Sequence, residues 1–179
     1  FKDIEILEDP SGTGPGTIAV GCPAGNNGKV LLYKCPISGP ITMTQTINKP
    51  QTLNRKEFGW SISRICDYDL DDNPEFVVGA PGDSTSGGSI VIYELGKNTP
   101  EKIIDQDKRG SFYGHEVISC ADVKGNYYPD FIVGAPARID GVQTGTSSLS
   151  VEEFFDSSTL PKNTPTMSIN GVERWTYQS

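Results

Sequence analysis

The chain has 179 residues, a hydrophobic content of 35% and a formal net charge of −8. This length suffices for one domain with a buried core, and an acidic chain without clustered basic residues does not suit a nucleic-acid partner. No apolar run approaches the roughly 20 residues of a membrane-spanning helix, so we expect no membrane insertion in this segment. The 20 glycines and 13 prolines indicate many short elements joined by turns.

Three segments repeat one pattern of apolar residues followed by glycine and proline. In chain order they are TIAVGCP at 17 to 23, EFVVGAP at 75 to 81 and DFIVGAP at 130 to 136. Gly79 lies 58 residues after Gly21, and Gly134 lies 55 residues after Gly79. Phe58-Gly59 and Tyr113-Gly114 keep the same phase ahead of the second and third segments. A fixed period of this size predicts a repeat architecture.

Each repeat is predicted to form four short β-strands. In the second repeat we expect them at about 59–66, 76–80, 89–95 and 101–105, where β-branched and alternating apolar residues are frequent. No amphipathic helix is predicted. Four-stranded repeats of this length are typical of β-propeller blades. A β-sandwich is the alternative all-β fold, but it gives no reason for three repeats in register.

The predicted fold class is therefore all-β, with about three four-stranded antiparallel propeller blades in one propeller segment over 1–179. Blade 1 is expected at about 1–50, blade 2 at 58–106 and blade 3 at 112–170, followed by a tail at 171–179. Propellers close with at least about four blades. Three blades alone are thus expected to be an incomplete propeller, whose exposed faces further blades or another copy would cover.

Two of the repeats resemble the FG-GAP repeats of integrin α chains. FGWSISRICDYDLDDNPEFVVGAP at 58 to 81 and YGHEVISCADVKGNYYPDFIVGAP at 113 to 136 join an aromatic-Gly pair, a polar loop and a Gly-Ala-Pro segment. The first repeat matches only through IAVGCP and GKVLLYKC. The resemblance implies a β-propeller that carries Ca²⁺ in the loop between the first two strands of a blade. It also implies an extracellular or cell-surface location and a role in cell adhesion or protein binding.

The acidic loop of the second repeat is the strongest candidate metal site. Ca²⁺ takes six to eight oxygen ligands, and alternate positions of a tight loop turn towards one point. The expected ligands are the side chains of Asp67, Asp69 and Asp71, the backbone carbonyl of Asn73, and Glu75. An EF-hand is excluded because Val78 stands where its closing glutamate is needed. The alternative is a solvated acidic turn without metal.

The other two loops are expected to be weaker. The third repeat forms a possible degenerate metal loop with Asp122, Asn126, Tyr128 and Asp130. Lys124 stands there at the position of an oxygen ligand; its ammonium either replaces the metal or points away from it. In the first repeat Asp9 is the one certain charge, and we expect turn hydrogen bonds instead of Ca²⁺.

The four cysteines allow two disulfides or free thiols. Cys22 and Cys35 flank one predicted hairpin. Cys66 and Cys120 lie near the ends of first strands in adjacent blades, which would make them neighbours around a propeller axis. A bridge requires Cα atoms within about 7 Å.

The sequence does not predict an enzyme. His115 is the single histidine, and no nucleophile-elbow pattern is present. The predicted function is a Ca²⁺-stabilised extracellular segment that acts in adhesion or protein binding, with a protein partner or further blades. The alternatives are a self-assembling protein whose three-blade units form a ring or filament, and an accessory binding domain of a larger hydrolase.

Overall fold

The computed structural model describes residues 1–7, 16–65, 73–83, 85–107, 109–121, 130–136, 138–139, 142–143, 148–152 and 166–168. Blade 1 contains β1 (Asp3–Leu7), β2 (Gly16–Cys22), β3 (Lys29–Cys35) and β4 (Thr42–Asn48), with a 3-10 turn at Gly25–Asn27. Blade 2 contains β5 (Ile62–Ile65), β6 (Glu75–Ala80), β7 (Ser89–Glu94) and β8 (Lys102–Asp105). Blade 3 contains β9 (Glu116–Ala121), β10 (Asp130–Ala135), a small hairpin of β11 (Arg138–Ile139) and β12 (Val142–Gln143), β13 (Ser148–Glu152) and β14 (Thr166–Ser168).

The strands form three four-stranded antiparallel sheets, in the orders β1-β2-β3-β4, β5-β6-β7-β8 and β9-β10-β13-β14. Each sheet therefore runs from its first strand to its last as a meander, which confirms the predicted all-β fold of three propeller-type blades. The β11–β12 hairpin forms a separate two-stranded sheet between the second and third strands of blade 3. The sequence did not predict it. No helix in the described part of the chain is long and apolar enough to span a membrane.

Blade 2 is packed on both faces. Successive residues of a strand point to opposite sides of a sheet, so β6 contributes to two cores. Phe76 and Val78 pack in one cluster with residues of blade 1 such as Leu32, and Val77 packs in another with residues of blade 3 such as Phe131. All six residues of β6 are buried. Burial on both faces explains why this strand reads as a continuous apolar run.

The first strands of adjacent blades lie side by side, since β1 contacts β5 and β5 contacts β9. Strand β5 is the edge of its sheet, where backbone N–H groups need partners from outside the sheet. Two carboxylates of β1 meet this need. The N–H of Ile62 donates to Asp3 Oδ2 at 2.7 Å, and the N–H of Arg64 donates to Glu5 Oε1 at 3.2 Å. Side chains of blade 1 thus join the inner edges of two blades.

The repeated glycines mark where the next blade docks. A Cβ on Gly79 would lie 2.1 Å from the carbonyl oxygen of Gly114, and one on Gly21 would lie 2.1 Å from that of Gly59. Gly59 and Gly114 themselves have φ near +90° and +86°, a region that favours glycine. The aromatic-Gly pair of one blade therefore packs on the Gly-Ala-Pro strand of the preceding blade. This contact accounts for the joint recurrence of the two halves of the motif.

The outward face of blade 1, which we define by Ile4, Ile6, Ile18, Leu31 and Tyr33, points away from blade 2. Ile4 and Ile6 are 63% and 64% exposed. In blade 1, Ile4 pairs with Val20, and in blade 2 the equivalent pair is Ile62 with Val78. Ile62 and Val78 lie on the face by which blade 2 packs on blade 1. The outward face of blade 1 therefore corresponds to that packing face of blade 2. Blade 1 thus presents an apolar blade-packing surface to solvent.

The strand register corrects one candidate disulfide. Cys22 lies opposite Lys29 and Cys35 lies opposite Gly16, at the two ends of the β2–β3 pair. Because a strand advances about 3.3 Å per residue, the two residues are far beyond bridging distance, and both are free thiols. Cys66 lies outside the described residues, and only the backbone of Cys120 is described, so a bridge between those two stays a prediction.

Candidate metal site

The acidic stretch of the second repeat joins the first two strands of blade 2. Strand β5 ends at Ile65, which pairs with Glu75 at the beginning of β6. The connection therefore starts and finishes at one pair of facing residues, as a hairpin loop does. Of the predicted ligands, Asp67, Asp69 and Asp71 lie outside the described residues. Asn73 and Glu75 lie within them.

Glu75 lies at the buried base of this connection. Its side chain is 1% exposed, whereas Asn73, two residues earlier, is exposed. An ionised carboxylate is costly to bury unless a cation or hydrogen-bond donors compensate its charge. Glu75, the expected closing ligand, is thus a carboxylate whose burial makes neutralisation of its charge important.

Blade 3 buries a carboxylate at the equivalent place. Asp130 begins β10 opposite Ala121, is 2% exposed, and precedes a shift in the pairing register. Asp122, Lys124, Asn126 and Tyr128 of the same loop lie outside the described residues. In blade 1 the corresponding residue is Thr17, which is half-buried and uncharged. Two of the three blades therefore place a buried carboxylate at the start of the second strand.

Glu94 is a neighbour of the site that the sequence did not indicate. It lies directly opposite Glu75 in the β6–β7 register and is itself buried. Facing carboxylates on adjacent strands repel when both are ionised. Lys97 forms an ion pair with Glu94 and approaches Glu101 Oε1 at 3.4 Å. The sequence shows a lysine between two glutamates, but only the strand register shows that Glu94 faces Glu75.

The oxygen atoms of the described residues are suitable ligands for a hard cation. Glu75 and Asp130 offer buried carboxylate oxygens, which Ca²⁺ prefers as ligands, and the carbonyl of Asn73 precedes Glu75 in the same connection. Among the residues that the structure describes, no group of three or more His, Cys, Asp or Glu is arranged to hold a metal. A candidate site at either loop therefore depends on the carboxylates that precede these residues in the sequence.

A polar cleft of about 420 Å³ lies at the other end of blade 2. Its walls carry two ion pairs, Arg55 with Asp107 and Lys56 with Asp83, the latter at 2.6 Å between Nζ and Oδ2. The hydrogen bond from Lys56 lowers the pKa of Asp83 below its usual range, and hydrogen bonds from Thr85 and Ser86 add to this effect. The cleft charges thus compensate one another.

Trp60 packs between residues of the other two blades. Its ring centroid lies 5.3 Å from that of His115 in blade 3, and Lys2 Nζ of blade 1 lies 4.9 Å from the Trp60 ring centre. Trp60 and His115 each follow the glycine of an aromatic-Gly pair. These residues therefore meet where first strands of neighbouring blades begin.

The chain is similar to integrin α chains from several animals. It is 35% identical to integrin alpha-6 of Gallus gallus over 95 residues, which are 49% of this chain and 9% of that protein. It is 35% identical to integrin alpha-7 of Rattus norvegicus over 115 residues, 60% of this chain and 10% of the relative. It is 25% identical to integrin alpha-2 of Bos taurus over 144 residues, 75% of this chain and 12% of the relative.

No family model matches the chain. The chain spans about a tenth of the length of the curated relatives that it matches. Within that span, sequence similarity, the three four-stranded sheets and the contact between aromatic-Gly and Gly-Ala-Pro agree with one another. The chain resembles a segment of the integrin α-chain β-propeller.

Proposed function

We propose that this chain is a Ca²⁺-stabilised, extracellular β-propeller segment that acts in adhesion or protein binding and has no enzymatic activity. The observation that carries the metal proposal is the burial of Glu75 and Asp130 at equivalent positions of blades 2 and 3. A carboxylate buried at the base of an acidic loop is compensated well by a cation in that loop.

The strongest site is proposed in blade 2. Asp67, Asp69 and Asp71 would supply side-chain oxygens, Asn73 its carbonyl, and Glu75 the closing carboxylate. The bound ion would neutralise the loop and hold the end of β5 beside the start of β6. Its role is structural, because it lies where two strands of one blade meet. The loop of blade 3 would bind more weakly, since Lys124 replaces one oxygen ligand.

Adhesion and an extracellular location are proposed from the similarity to integrin α chains. The partner would be a protein surface, or further blades of the same repeat. The outward face of blade 1 supports a blade as one partner, since it reproduces the packing face of blade 2 and exposes Ile4 and Ile6. Staining of intact cells with an antibody against this segment would test the location; signal only after permeabilisation would contradict it.

The same exposed face favours self-assembly as a second candidate. An apolar sheet face of this kind is a typical site of protein contact. If copies of the chain cover it, light scattering will give a mass above that of the 19.3 kDa chain. A mass that remains monomeric at all concentrations would exclude self-assembly and leave other blades or proteins as partners.

Calorimetric titration with Ca²⁺ tests the metal site. The wild-type chain is expected to bind one ion tightly, and Asp69→Ala is expected to lose that site. Asp107→Ala is a matched control, because it removes a solvent-exposed carboxylate at the far end of blade 2. Thermal unfolding should show a higher melting temperature in Ca²⁺ than in EDTA for the wild type and the control, because a ligand of the folded state stabilises it.

Absence of binding by the wild-type chain would overturn the metal proposal. Equal binding by Asp69→Ala would also contradict it, because the loop would then not be the site. Replacing Glu75 by Gln keeps its size and removes its charge. We expect this variant to bind Ca²⁺ more weakly than the wild type.

A further inference from the structure

The turn that follows β7 places a single lysine beside two carboxylates. Lys97 forms an ion pair with Glu94 and lies 3.4 Å from Glu101 Oε1. The side chains of Glu94 and Glu101 are only 10% and 15% exposed, whereas that of Lys97 is 49% exposed. Two largely buried acids thus share one partly exposed ammonium.

The position of this lysine is fixed by the backbone and by the adjacent blade. The N–H of Lys97 donates to the carbonyl of Glu94 at 3.1 Å, and the N–H of Leu95 donates to the carbonyl of Pro74 at 2.9 Å. Gln45 of blade 1 donates from Nε2 to the carbonyl of Lys97 at 3.0 Å. The turn is therefore tied to the end of the acidic connection and to the neighbouring blade.

Glu94 connects the lysine to the candidate metal loop. It faces Glu75 across the β6–β7 pair, and directly opposite residues have Cβ atoms about 5 Å apart. The charge on Lys97 therefore lies at the end of blade 2 where the acidic connection joins Ile65 to Glu75. An ammonium in this position attracts the carboxylate of Glu94 and repels a cation bound nearby.

We propose that Lys97 is a built-in counter-ion for the Glu75–Glu94 pair and that its charge limits the Ca²⁺ affinity of the blade 2 loop. This inference rests on the proposed Ca²⁺ site. Lys97 is a tuning residue and not a ligand. In the metal-free chain it compensates part of the buried negative charge, and in the metal-bound chain it competes electrostatically with the ion.

Opposite charge changes on Lys97 and Glu94 test this role by calorimetric titration with CaCl₂. Lys97→Met keeps an unbranched side chain that is one atom shorter and removes the charge, and we expect about tenfold tighter Ca²⁺ binding. Glu94→Gln is expected to weaken binding by a similar factor. The double variant, which removes both charges, should bind much like the wild type. Lys29→Met, in blade 1, is the matched control and should leave the affinity unchanged.

A second measurement in EDTA separates this inference from the Ca²⁺ proposal. Without metal, Lys97→Met should lower the midpoint of urea unfolding, and adding Glu94→Gln should restore much of the loss. Lys97→Arg, which keeps the charge, should resemble the wild type in both measurements. If the wild type binds Ca²⁺ but Lys97→Met binds no more tightly, the inference is overturned while the metal site stands.

If the wild type does not bind Ca²⁺, the proposed site fails, and the affinity-limiting role of Lys97 fails with it. The counter-ion role is then decided by the EDTA measurements alone. Additive effects of Lys97→Met and Glu94→Gln on the unfolding midpoint would show that the two charges are not coupled, and would overturn that role too.

Discussion

Blades 1 and 2 share one strand plan but differ in how their faces are covered. In blade 2 every residue of β6 and β7 is buried, whereas β1 of blade 1 alternates between buried or half-buried and exposed residues. The two exposed positions of β1 are nevertheless apolar, because they are Ile4 and Ile6. The repeat therefore encodes a surface for packing between blades, and whether that surface is buried depends on what lies beside it.

The glycine contacts show the same difference at single positions. Gly21 and Gly79 each have the carbonyl of a following aromatic-Gly pair where a Cβ would lie. Among the described residues, the nearest atom to a Cβ on Gly134 is Glu116 Cβ at 3.4 Å. The same glycine of the repeat is thus under a strict steric demand in two blades and a mild one in the third.

The largest expected effect comes from removing a core side chain of blade 2. Phe76 is fully buried and stacks on Tyr93 at a centroid distance of 5.6 Å. We expect Phe76→Ala to lower the free energy of unfolding by about 3–5 kcal/mol. Ile18 occupies the equivalent position in blade 1 and is only half-buried. Ile18→Ala should lower the free energy of unfolding by about 1 kcal/mol, because this side chain removes less surface from water. Urea unfolding of both variants checks this, and equal losses would contradict the difference between the faces.

A methyl group on the repeat glycines should show the next largest effect. Gly79→Ala would place Cβ 2.1 Å from the Gly114 carbonyl oxygen and 2.2 Å from Ser61 Oγ, so the backbone of blade 3 must move. We expect a loss of about 2–3 kcal/mol in the free energy of unfolding. Gly134→Ala should cost less than about 1 kcal/mol. Similar losses for both variants in urea unfolding would show that the docked carbonyl is not the cause.

Part of this arrangement was predictable because it repeats. The recurrence of Gly21, Gly79 and Gly134 gave the number of blades, and β-branched runs gave the strands to within a few residues. The side-chain contacts across strands were not predictable, because they depend on register. The pairing of Glu75 with Glu94 is one example, and the placement of Cys22 and Cys35 at opposite ends of a strand pair is another. The β11–β12 hairpin was missed because two-residue strands leave no period to detect.

Polar substitutions on the outward face of blade 1 should change association more than stability. Ile4→Thr and Ile6→Thr keep β-branched side chains at exposed strand positions, so we expect changes within about 0.5 kcal/mol in the free energy of unfolding. Light scattering should show weaker self-association, because less apolar surface is available for contact. Thr44→Ser, on the outer strand β4, is a control. Unchanged association of the double variant would show that this face is not a contact between copies.

The smallest effect concerns the ion pair between Lys56 and Asp83 at the other end of blade 2. The hydrogen bond from Lys56 lowers the pKa of Asp83 from its ordinary value of 3.8, so the contribution of this carboxylate is present above about pH 4 and is lost as the pH falls through the folded-state pKa. The pKa of Lys56 is raised by the same bond, so its contribution is lost only as the pH rises above its ordinary value of 10.5. Solvent screens this partly exposed pair. Asp83→Asn should therefore lose slightly less melting temperature than the wild type between about pH 4 and pH 2. Asp107→Asn changes a carboxylate that is 94% exposed, and its melting temperature should follow that of the wild type. Parallel curves of melting temperature against pH for all three proteins would contradict the assignment to Asp83.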